Sequence, residues 1–106
     1  MKIEIVRYKM INKNSVLALA TIKVPEWGNL LIDNMTLFFK PPNKWISFPS
    51  RKDDKGKYWE YMRFESHQDK KDFGHEVFKA FEAKMAQDKI SIATSEPYED
   101  ARNYYD

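Results

Sequence analysis

Every stretch of two-residue periodicity in this chain precedes its one stretch of helical periodicity, and that order decides the fold class. Phe73, Val77, Phe81 and Met85 recur at intervals of four, with Phe78 and Ala80 beside them. This stripe predicts one amphipathic helix over about residues 67–87. Ser66, with Asp69 three residues on, supplies a start resembling a capping box. Upstream the apolar residues alternate. Strands followed by a helix, with no helix between them, predict an antiparallel α+β domain rather than a βαβ fold. The expected architecture is a curved sheet of about five strands followed by one long helix.

The strands can be placed one by one. Over residues 2–12, Ile3, Ile5 and Arg7 point one way, with Glu4, Val6 and Tyr8 on the other side. Asn12-Lys13-Asn14-Ser15 reads as a turn. In 16–24, Ala18, Ala20, Ile22 and Val24 share the more buried face, and Leu17, Leu19, Thr21 and Lys23 share the other. Two alanines there predict a close neighbour, most simply the helix. From Leu30 to Lys40 the apolar set moves from even positions (Leu30, Ile32) to odd ones (Met35, Leu37, Phe39). Such a phase change predicts a β-bulge near Asp33-Asn34, and two short strands with a kink would give the same pattern. Pro41-Pro42-Asn43 ends this strand. A fourth strand is expected over 44–48, a basic loop over 49–56 and a fifth strand over 57–65. Gly74, inside the helix, costs roughly 1 kcal/mol relative to alanine. A close backbone approach, over Ala18 and Ala20, would offset that.

One hundred and six residues make one domain, and 42% apolar residues suffice for a core. We divide the chain into a domain over 1–94 and an acidic, tyrosine-bearing tail over 95–106. The tail includes Tyr98, Tyr104 and Tyr105, and a short strand or coil at 90–94 precedes it. No apolar run reaches the length of a membrane span, and Met1-Lys2-Ile3-Glu4 has no secretory character. Cysteine is absent, which removes disulfides, thiolate nucleophiles and Cys-type zinc sites. A cytoplasmic protein without membrane association is expected. The formal net charge of +2 hides an asymmetry: residues 1–95 hold 17 bases and 12 acids, whereas 96–106 hold four acids and one base. A basic body with an acidic end fits nucleic-acid partners.

The basic charge concentrates in Phe48-Pro49-Ser50-Arg51-Lys52-Asp53-Asp54-Lys55-Gly56-Lys57. Arg51, Lys52, Lys55 and Lys57 sit at a hairpin tip flanked by Trp45, Tyr58, Trp59 and Tyr61. Cations neutralise phosphates and rings stack on bases, so this pattern suits sequence-tolerant nucleic-acid binding, with Trp45 and Trp59 as stacking candidates. Lys70 and Lys71 at the start of the helix join the candidate contacts. The same residues also suit a solvated turn between aromatic strands.

Catalytic chemistry is not in view. His67 and His75 are eight apart and lack the i, i+4 spacing of a metal pair. The three glycines are isolated, so no phosphate-cradling loop exists. Asp53-Asp54 reads as charge balance for Arg51, Lys52 and Lys55. Ser50 has no nearby histidine to activate it. No enzyme activity, cofactor, metal or small-molecule substrate is expected.

From Leu17 to Met85 the chain resembles the bacterial SpoVG family of septation and sporulation regulators. The resemblance runs through Ala18-Leu19-Ala20-Thr21-Ile22, Met35-Thr36-Leu37, Trp45-Ile46-Ser47-Phe48, Pro49-Ser50-Arg51-Lys52 and Gly56, then a helix of similar length. Phe48-Pro49-Ser50-Arg51-Lys52 is its most specific part. Asn43-Lys44 stands where the family has a glycine. Glu60-Tyr61-Met62-Arg63-Phe64 lacks the family's proline, and the N-terminal strand and acidic tail match weakly, so the chain reads as a divergent relative. The resemblance implies a curved sheet with a helix on it, a homodimer formed by sheet pairing, and DNA and RNA binding in regulation, with contact at Arg51 and Lys52. A role in sporulation or septation does not follow. A protein–protein interaction module using exposed strand edges, or a phage or plasmid accessory protein, is the alternative.

Overall fold

The computed structural model describes residues 1–88; the expected strand or coil at 90–94 and the acidic tail lie outside the described residues. The elements are β1 (Glu4–Lys13), β2 (Val16–Val24), a 3-10 turn (Pro25–Trp27), β3 (Leu30–Lys40), β4 (Asn43–Ser47), β5 (Ser50–Lys52), β6 (Tyr58–Glu60) and α1 (His67–Gln87). β1 to β4 form one antiparallel sheet in the order β1-β2-β3-β4, and β5 pairs with β6 in a separate ribbon. The α+β class and the helix bounds agree with the sequence pattern. Among the described residues no helix is long and apolar enough to cross a membrane.

The fifth strand departs from expectation. Instead of spanning 57–65 it covers Tyr58–Glu60, and its partner, Ser50–Lys52, lies inside the expected loop. The cause is Pro49, which has no N–H to continue the ladder, so the chain leaves the main sheet there. Two hydrogen bonds tie the ribbon back: the Phe48 amide donates to the Glu60 carboxylate (2.9 Å) and the Tyr61 amide to the Pro49 carbonyl (2.9 Å).

The phase change in β3 is a bulge, as predicted. Ile22 pairs with Ile32 but Ala20 pairs with Met35, so β3 carries an extra residue at Asp33-Asn34, and Asn34 takes φ +57°. β1 holds a second bulge that sequence reading missed. Ile5 pairs with Ile22 and Arg7 with Thr21, leaving Val6 as the extra, exposed residue. Arg7 therefore does not continue the face of Ile3 and Ile5. It lies across the sheet, 3.3 Å from Asp33, while Tyr8 and Met10 take over the core face.

α1 crosses the sheet diagonally, close to β4 at one end and β1 at the other. Ser66 caps it, its Oγ accepting the Asp69 amide. Phe73, Val77, Phe78, Phe81 and Met85 are buried against Ala18, Ala20, Ile22, Met35, Leu37 and Ile46. Gly74 marks a close approach, but not over the two alanines: a Cβ there would stand 3.3 Å from Cγ1 of Ile46 in β4, tighter than ordinary contact. The far face of the sheet is also partly covered. Ile11, Val16 and Leu19 form a small second cluster with Phe38, and Trp45 stacks on Phe38 at 5.2 Å.

Phe81 is fully buried with Tyr8 edge-on at 5.3 Å. Phe81→Ala should lower stability in urea unfolding by about 3–5 kcal/mol. A loss below about 1 kcal/mol would place this ring outside the core.

Candidate functional site

The expected cations and rings fall into two groups. The first is the β5–β6 ribbon. Its turn is organised by Asp53, whose carboxylate accepts the amides of Lys55 and Lys57 at 2.9 Å and the Trp59 indole N–H at 2.7 Å. The Asp53 amide donates to the Lys57 carbonyl and the Gly56 amide to the Asp53 carbonyl, with Gly56 at φ +81°. An aspartate that binds amides two and four residues on is a turn-builder, which is more than the charge balance read from sequence. The Trp59 hydrogen bond, then that from Lys57, holds the Asp53 carboxyl below its ordinary pKa.

Pairing sorts the cations between the two sides of the ribbon. Arg51 lies opposite Trp59, and Lys52 opposite Tyr58. The Lys57 ammonium sits 4.4 Å from the centre of the Trp59 ring, and that of Lys52 5.9 Å from Tyr58. Trp59 is therefore half exposed yet fixed by two partners. A ring held this way loses little freedom when it meets a ligand.

The second group lines a groove of about 740 Å³ between β4 and α1. Lys70 and Lys71 are on its wall, as are Lys44, Trp45, His67, His75 and Lys79, over a floor that includes Ile46, Gly74 and Phe78. Trp45 thus belongs to the four-stranded sheet and this groove, whereas Trp59 belongs to the ribbon. Glu60 joins the two regions, accepting the Phe48 amide on one oxygen and standing 3.9 Å from Lys70 with the other. Lys44, His67, His75 and Lys79 were not among the sequence candidates. Their signal was present: 67, 71, 75 and 79 share one helical row. That row becomes a groove wall where α1 packs beside β4, at Gly74 and Ile46.

Among the described residues no three His, Cys, Asp or Glu side chains are grouped to hold a metal ion. No family model, curated protein or solved structure matches the chain.

Because the folded state depresses the Asp53 pKa, its ordering effect is complete above the ordinary aspartate value and is lost as pH falls through the lower, folded one. The Trp59 indole N–H resonance should accordingly hold a distinct shift at neutral pH. It should move to the free-tryptophan position only in acid, below the ordinary aspartate value. Asp53→Ala should produce that position at pH 7. A Trp59 signal indifferent to both changes would contradict the role given to Asp53.

Proposed function

We propose that this protein binds nucleic acid, DNA or RNA, as a homodimeric regulator, with the β5–β6 ribbon as its primary contact. The observation that supports this most is the pre-ordered tip: Asp53 fixes the turn, so Arg51, Lys52, Lys55 and Lys57 are presented beside the half-exposed rings of Tyr58 and Trp59. None of these four cations makes an ion pair with another described residue. A surface that pairs unspent positive charge with exposed rings suits phosphate neutralisation with base stacking. The resemblance of Phe48-Pro49-Ser50-Arg51-Lys52 to the SpoVG signature points the same way. Lys70 extends the surface toward the helix through Glu60. Dimerisation belongs to the same reading, since β1 and β4 end the sheet and exposed edges favour pairing.

The combined change Arg51→Ala and Lys52→Ala should weaken binding to all sequences about equally and lower the salt slope by roughly one to two units in gel shifts over a salt series. Affinity unchanged in that variant would remove the ribbon as the contact. Salt-insensitive binding to a protein, with no nucleic-acid shift, would favour an interaction module. In sedimentation the dimer should persist at micromolar concentration, and a species of 12.7 kDa would contradict it.

A further inference from the structure

We propose that the groove between β4 and α1 is a track for single-stranded nucleic acid, its phosphates running along His67, Lys71, His75 and Lys79. The inference rests on the nucleic-acid reading above and extends it to a site apart from the ribbon tip.

Residues four apart stand one above another on a helix, here rising about 6 Å per step at 1.5 Å per residue. All four side chains are exposed and all four line the groove. Lys71 and Lys79 make no ion pair among the described residues. The neighbouring charges are more engaged: Lys44 bonds Glu82, Lys70 faces Glu60, and Asp72 accepts the Gln68 amide at 2.8 Å. Asp72 keeps its negative charge, and with Lys44 and Lys70 paired the groove retains a net positive charge carried by the row at Lys71 and Lys79.

The rest of the groove suits a strand with accessible bases. Its apolar floor includes Ile46, Gly74 and Phe78, all three buried. Trp45 reaches the groove from the β4 edge: its ring lies on the sheet's far face, stacked on Phe38 at an interplanar angle of 2°, and is 42% exposed. A braced, half-open ring is a stacking platform. A duplex keeps its bases inside its stack and is read by elements that protrude into its grooves. A trough offers no such element, but it can receive a flexible backbone. An extended acidic peptide is the competing occupant. Just past β4 the Phe48 amide donates to Glu60, so by strand alternation those of Lys44 and Ile46 share that outer edge.

The test is fluorescence anisotropy of the full chain with a labelled oligothymidylate, the matching oligouridylate and a duplex of the same length. Lys71→Gln with Lys79→Gln should weaken both single strands by about tenfold at low salt and lower their salt slope by about 1.4 units, at about 0.7 per phosphate contact. The duplex should change less, and the variant's circular dichroism should be unaltered because both lysines are exposed. If Arg51→Ala with Lys52→Ala weakens binding while the groove variant does not, the groove inference is overturned and the ribbon reading stands. If neither variant matters, both fall. If the oligonucleotides ignore the groove but a peptide of alternating glutamate and valine binds it and is lost in the glutamine variant, the groove is a peptide site and this inference is wrong.

Discussion

Four aromatic rings at one end of the sheet hold the functional half of the molecule together. Trp27 lies flat on Phe73 at 5.4 Å, Phe64 packs against Trp27, Phe48 and Phe73, and Phe48 meets Phe73 at 5.8 Å. They come from the 3-10 turn, the end of β4, the approach to the helix and the helix itself. Aromatic pairs contribute about 0.5–1.5 kcal/mol beyond their buried area, so this cluster fixes where α1 begins. The ribbon leaves the sheet at Phe48 and returns to the helix at Phe64, so both of its ends are anchored here. Without the cluster, neither the tip nor the groove would have a defined position.

Electrostatics is then layered on that frame at low cost. The exposed ion pairs contribute little to stability, since surface pairs are typically worth about 0–1 kcal/mol. Their effect is selective: among the described residues, Glu60 and Glu82 occupy Lys70 and Lys44, while Lys71, Lys79 and the ribbon cations make no ion pair. Asp53 spends its charge on backbone amides and an indole rather than on a neighbouring lysine. Asp53 thus orders the backbone at the tip without pairing with its cations, whereas Glu60 and Glu82 offset Lys70 and Lys44.

What could be read in advance follows from how local each signal is. The helix was legible because its stripe and cap lie within one contiguous stretch. The β3 bulge was legible because a one-residue slip changes the parity of Ile32, Met35 and Leu37. The β1 bulge left a similar trace, a change from odd Ile3 and Ile5 to even Tyr8 and Met10, but adjacent apolar Ile5 and Val6 blurred where the parity changes. The short ribbon was not legible, because aromatic residues through Phe64 read as strand whether or not a partner exists. The cations of the tip were visible as composition, but their division between two sides depends on the register of Ser50–Lys52 against Tyr58–Glu60.

The sequence by itself determined the α+β class, the helix with its buried stripe, the break at Pro49 and the basic, aromatic character of the tip, since each is a property of neighbours along the chain. Only the tertiary structure decided that Gly74 meets Ile46 rather than the alanines of β2. It likewise decided that Trp45 and Trp59 serve different surfaces, and that His67, Lys71, His75 and Lys79 line a groove instead of a solvated face. The physical reason is that all three depend on contacts between segments far apart in sequence. Side-chain packing in the aromatic cluster selects those contacts, and no local periodicity encodes them.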